Sequence, residues 1–142
     1  MREILFRGKT LTGRWVEGAY YKQEEFYGDK EDAHIIITSK ENLTYDQALE
    51  FAICIPETVG QYTGLTDKNG TKIFEDDIVK CDDDIGAVSY SDLFAKFRVT
   101  YNEISGNWFD FEGECCDPIM FYCEVIGNIH DNPELLGGNY CG

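Results

Sequence analysis

A chain of 142 residues with 27 Asp and Glu against 12 Lys and Arg carries a formal charge of −15, so its body repels phosphate and direct nucleic-acid binding is not expected. The longest apolar runs, FAICI and IIIT, are too short to span a bilayer, and MREILFRGKTLTG at the start lacks the apolar core of a secretory signal, so neither a membrane partner nor secretion is expected. One domain of this length buries about two-thirds of the surface that its unfolded form exposes, enough to hold a core without staples.

Nine Phe, nine Tyr and two Trp tilt the chain toward β structure, because aromatic side chains fit a pleated, half-buried surface. EILFRGK and RWVEGAYYK read as two strands joined by a turn at TLTG, an opening hairpin. The charged stretch after it, residues 24–32, reads as an exposed loop leading into HIIIT, a short buried strand. At NLTYDQALEFAI, Thr44 with Gln47 three residues later forms a capping-box pattern ahead of good helix formers, which predicts one short helix over residues 45–52, ended by Pro56.

From Thr58 onward the punctuation is that of strands and turns. TVGQYTGL, TKIF, DIVKC, GAVSYSD, FAKFRVTYNE, NWFDFE and IMFYCEVIGNI are separated by glycine, asparagine or aspartate, which predicts a strongly bent sheet or a small SH3-like barrel. Phe97, Val99 and Tyr101 alternate with Lys96, Arg98 and Thr100, the period of a strand with one wet face, and SGN at 105–107 links that strand to the Trp108 strand as a hairpin. The expected organisation is a single mainly β domain over 1–137 and a flexible tail over 138–142.

The segment GLTDKNGTKIFEDDIVKCDDD concentrates turn signals and carboxylates. Asn69-Gly70 supplies the positive φ values of a two-residue hairpin loop and is read as a structural turn. A calcium loop is the rival reading, since Asp67 and Asn69 are spaced as in D-x-N. It fails because the glycine falls at position four and position twelve is Ile78. Glu75, Asp76 and Asp77, with Asp82, Asp83 and Asp84 beyond them, are the candidate divalent-cation ligands, set against the plainer reading of a solvated acidic face.

No serine sits in a nucleophile elbow, and there is no P-loop or dinucleotide fingerprint. His34 and His130 could each meet Cys123 or Cys54 in space, but both are read as structural or surface residues. The six cysteines, Cys54, Cys81, Cys115, Cys116, Cys123 and Cys141, are read as thiols because nothing in the chain points to an oxidising compartment, and their spacing does not suit zinc. No catalytic residue and no cofactor is predicted. Charge is uneven: residues 1–22 hold five basic and two acidic side chains, a net of +3, which leaves −18 for the remainder.

PETVGQYTGLTDKNGTKIFEDDIVK (56–80) and EVIGNIHDNPELL (124–136), with REILFRGK and GRWVEGAYY at the start, resemble the YopX-like family of phage and prophage proteins in the same order along nearly the whole chain, around a variable middle at about 23–53. The family pattern I-Y-E-G-D-I-V becomes Ile73, Phe74, Glu75, Asp76, Asp77, Ile78, Val79 here, with Asp76 in place of glycine, one of the few residues that tolerate positive φ. The resemblance implies a β-rich, often oligomeric, phage-associated protein of the host-cell cytoplasm, and it carries no activity. The expectation is a self-associating structural or protein-interaction module. The alternatives are an acidic decoy for a basic host or phage nucleic-acid-binding protein, or a small divalent-metal hydrolase.

Overall fold

The computed structural model describes residues 3–24, 31–38, 50–93, 95–101, 108–110 and 123–137. The chain divides into two compact units, Met1–Tyr62 and Thr63–Gly142. The structure is mainly β, and its two antiparallel sheets are not closed into a barrel.

In the first unit, β1 (Phe6–Lys9) and β2 (Trp15–Gln23) form the opening hairpin. Its turn is closed by the Thr10 N–H on the Arg14 carbonyl at 2.8 Å and by the Gly13 N–H on the Thr10 carbonyl at 2.9 Å. β3 (Ala33–Ile37), β4 (Phe51–Cys54) and the start of β5 (Gly60–Thr66) complete the order β4-β3-β2-β1-β5. β2 is long enough to serve two neighbours: Trp15 to Gly18 pair with β1, and Ala19 to Gln23 pair with β3. At one corner the Ile55 N–H reaches the Lys9 carbonyl at 2.8 Å, beside an isolated bridge between Thr10 and Cys54. Closure goes no further, because Pro56 has no N–H to extend a ladder and opens a 3-10 turn, Pro56–Thr58. The barrel alternative therefore gives way to open sheets. The inner face packs Val16, Ile36 and Cys54 with Phe6, Tyr20, Ala52 and Val59.

The predicted helix is corrected where it can be followed. Thr44, Gln47 and positions 45–49 lie outside the described residues, whereas Phe51 and Ala52, its expected last turn, are strand residues facing Ile37 and Ile36. Pairing with β3 and the extended bias ahead of Pro56 outweigh local helix propensity there. Most of the predicted 24–32 loop and the SGN link also lie outside the described residues, as do residues 138–142.

In the second unit the end of β5 adjoins β6 (Lys72–Phe74), and the Thr63 hydroxyl donates to the Ile73 carbonyl at 2.8 Å. β7 (Asp77–Cys81), β8 (Asp84–Ser91), β9 (Lys96–Tyr101), β10 (Trp108–Asp110) and β11 (Cys123–Asn128) form a sheet in the order β10-β9-β8-β7-β11. Its core is Ile73, Val79, Cys81, Val88, Val99 and Cys123, with Leu65 and Val125 against it. Phe97 and Val99 are buried while Lys96, Arg98 and Thr100 are half-buried, as the alternation in β9 predicts.

The thiol reading needs a second correction. Cys81 and Cys123 are joined by a disulfide, because β7 and β11 pair with the two cysteines directly opposite each other, Cα atoms 4.2 Å apart. Composition and motif spacing carry no information about strand register, which is what brings the two sulfurs together. Cys54 is a buried free thiol, and Cys115, Cys116 and Cys141 lie outside the described residues.

Candidate functional site

The acidic segment resolves into three turns. In the first, the Gly70 N–H bonds the Asp67 carbonyl at 3.0 Å and the Asp67 N–H bonds the Thr71 carbonyl at 2.8 Å. Positive φ falls on Gly70 alone, at 82°, and not on Asn69, so the loop is the three-residue type that ends in a left-handed glycine rather than the two-residue type expected. Gly70→Val should lower stability by about 1 kcal/mol or more in urea unfolding, because a β-branched residue resists that φ although the space around it is open.

The turn is organised by Asp67, which is 4% exposed. Its Oδ1 accepts the Asn69 and Thr71 N–H groups, both at 2.9 Å, and its Oδ2 accepts the Val125 N–H at 2.9 Å. Burial pushes this carboxyl up, but the three backbone donors outweigh it and hold it below the usual carboxylate range.

In the second turn Asp76 has φ 72°, the left-handed conformation expected where the family carries glycine. Its N–H bonds the Val88 carbonyl at 2.9 Å, its carbonyl accepts from the Ile129 N–H at 3.0 Å, and its carboxylate meets His130 Nε2 at 3.0 Å. Asp77 is 1% exposed and its Oδ2 accepts the Phe74 N–H at 2.7 Å. Glu75, just ahead of them, is half-buried. The third turn joins β7 to β8 with Asp82, at φ 54°, and Asp83 as its two loop residues, and these stand exposed with Asp84. The carboxylates named from the sequence are thus spread over separate turns with separate hydrogen-bonding tasks. Among the described residues no three His, Cys, Asp or Glu are grouped to hold a metal ion.

The cysteine and histidine pairings are also placed. His34 lies opposite Cys54 in the β3–β4 register, but its Nδ1 is held by the Tyr20 hydroxyl at 2.5 Å. The Cys54 thiol is 2% exposed, and burial pushes it up more than the backbone of neighbouring Ile36 brings it down, the opposite of what a nucleophilic thiol needs. His130 packs as the partner of Asp76. In the turn after β11, Asn128 Oδ1 accepts the N–H groups of His130 and Asp131 at 3.0 and 2.9 Å, and a 3-10 turn follows at Pro133–Leu136. Each is a structural assignment.

An apolar surface remains on the first unit, carried by residues with no turn or acidic signal. Register places Ala19, Ile37 and Phe51 in one cross-strand row on the outer face of the first unit's sheet, and Tyr21, Ile35 and Ile53 in the next. Tyr21 and Phe51 are each 53% exposed, Ala19 is exposed, Ile37 and Ile53 are half-buried, and Ile35 lies buried between them. The same face continues into the rows Glu17–Arg7 and Trp15–Lys9, where the Arg7 guanidinium stacks 4.9 Å from the Trp15 ring centroid. Side chains of β2 thus serve the core on one side and an apolar outer patch on the other. The available signal was the presence of large apolar residues in both alternating sets of WVEGAYY: Val16 and Tyr20, then Trp15 and Tyr21. Such a face offers a stretch of exposed and half-buried apolar contact area.

The family model described as "YopX protein" matches residues 6–137. The chain belongs to the YopX family. Among solved structures, this YopX-family chain is similar to the crystal structure of protein EF1440 from Enterococcus faecalis. That likeness has a TM-score of 0.57 at 25% identity and covers 96% of this chain and 99% of the other. No curated protein matches. No helix among the described residues is long and apolar enough to cross a membrane.

Proposed function

We propose that this chain is a non-catalytic, self-associating module of a phage or prophage, working in the host-cell cytoplasm, and that the outer face of its first sheet is the contact surface. The observation that carries the reading is the pair of apolar rows on that face, anchored by exposed Tyr21 and Phe51. Charge selects the partner. Beside the apolar rows the face carries Arg7 and Lys9 against Glu17, so a matching surface is apolar at its centre and acidic at its rim. A second copy of the chain brings −18 outside its first 22 residues. The phage origin and the compartment rest on the family likeness, and the chain's neighbours in its genome test the first of them: a setting of phage genes is expected.

Light scattering coupled to size exclusion is the direct test. Wild-type protein at tens of micromolar should run well above the 16.2 kDa of one chain. Tyr21→Ser with Phe51→Ser should return it to that mass with an unchanged circular dichroism spectrum, since both side chains are more than half exposed. Salt should weaken assembly modestly, because rim charges act mainly on association rate. A wild-type monomer in both low and moderate salt overturns the reading.

A further inference from the structure

We infer that the Cys81–Cys123 pair is a redox latch on β11: as a disulfide it holds this strand and the Asp67 turn together as one locally stable unit, and as a dithiol it releases both. β11 is held along two edges. On one it pairs with β7, in a ladder whose register shifts between Val125 and Gly127, so that Ile126 is an extra residue. On the other it receives the Asp67 turn. The Lys68 N–H reaches the Cys123 carbonyl at 3.1 Å, and the Val125 N–H gives Asp67 its third donor. Outside these, Asn69 Nδ2 meets Glu124 Oε1 at 3.4 Å and Lys68 meets Glu124 at 3.8 Å, an exposed pair of small energetic weight. The disulfide lies at the first residue of β11, three residues before the bulge at Ile126. Both sets of bonds need β11 held as an extended strand, so fraying of β11 from β7 also leaves the Val125 N–H and the Cys123 carbonyl without a fixed position for the Asp67 turn.

The chemistry balances with a dithiol as reductant. One of its thiolates attacks a sulfur of the pair, breaking the protein S–S bond and forming a mixed disulfide. Its second thiolate then displaces the remaining cysteine and closes a cyclic disulfide. The protein gains two electrons and two protons, and the dithiol loses them. Cys81 is 4% exposed and Cys123 is fully buried, so attack proceeds from a locally opened state. The latch therefore persists through brief contact with reductant and yields on sustained exposure.

Hydrogen exchange followed by mass spectrometry on the full chain tests this in three samples: as purified under oxidising conditions, after dithiothreitol, and as the Cys81→Ser with Cys123→Ser variant. Amides at 67–71 and 123–128 should exchange about tenfold or more faster in the second and third samples than in the first, while those of β8 and β9 keep their rates. Reduction of the wild type needs no mutation, so it stands if the variant fails to fold. Equal protection in all three samples overturns the inference. So does a uniform loss across the second unit, which would make the bond a global staple, or recovery of both cysteines as alkylated thiols from unreduced protein.

Discussion

Asp67→Ala is expected to lower stability at pH 7 by about 3–4 kcal/mol, because it leaves three backbone N–H groups without their acceptor in a site that is 4% exposed. The loss is pH-dependent, and its sign follows from the depressed carboxyl. A carboxylate whose folded pKa lies below its unfolded value of about 3.9 contributes stability that is fully present above that value. The contribution disappears as pH falls through the folded value. Urea unfolding should therefore show the full gap between wild type and variant at pH 7, and a shrinking gap below about pH 4. Asp67→Asn separates charge from shape. Its carbonyl oxygen can still accept from Asn69 and Thr71, but its amide points a donor at the Val125 N–H, so a loss of about 2 kcal/mol without the acid dependence is expected. A pH-independent gap for Asp67→Ala would show that the carboxylate is not the origin of the stabilisation.

Gly18→Ala is expected to cost about 3 kcal/mol or more, localised to the first unit. A Cβ at Gly18 would stand 1.8 Å from the Ile37 carbonyl oxygen and 2.8 Å from its carbon. Both are backbone atoms, so no rotamer change relieves the contact. The position is where β2 leaves β1 and joins β3: Gly18 faces Phe6, and the next residue, Ala19, faces Ile37. The methyl group can be accommodated only by moving β2 and β3 apart at this point. Chemical denaturation should show the loss, and hydrogen exchange should place it in β2 and β3. A variant within about 0.5 kcal/mol of wild type, the range of neutral surface changes, would mean that the two strands do not approach as closely as described.

The acidic segment shows how a site can be legible in kind and misread in detail. Its composition marked turns correctly in character, and the left-handed Asp76 follows from the chemistry of a residue standing where the family has glycine. The part that organises the first turn was hidden. Asp67 was weighed as a calcium ligand by its spacing from Asn69, whereas its third donor comes from Val125, 58 residues away. His130 meets Asp76 across 54 residues. No local pattern encodes such partners, because they depend on which strands become neighbours. The apolar rows of the first sheet were hidden for a related reason: Phe51 had been assigned to the end of a helix, and only pairing with β3 sets it beside Ile37.

By itself the sequence determined that the chain is mainly β and where most strands begin and end, because aromatic and branched runs bounded by glycine, asparagine and aspartate act over a few residues. It also determined the inward set of β9, Phe97 and Val99, since a strand's period of two is local. Tertiary structure decided what depends on register and neighbours. It set Cys54, the last residue of β4, against Thr10 in a single bridge that leaves the sheet open. It also made strand of Phe51 and Ala52 where local propensity favoured helix. Cys81 and Cys123, 42 residues apart, face each other only because β7 and β11 align in one register. A shift of one residue would turn every side chain of β11 to the other face and separate the two sulfurs, and no property of either cysteine's own sequence surroundings specifies that alignment.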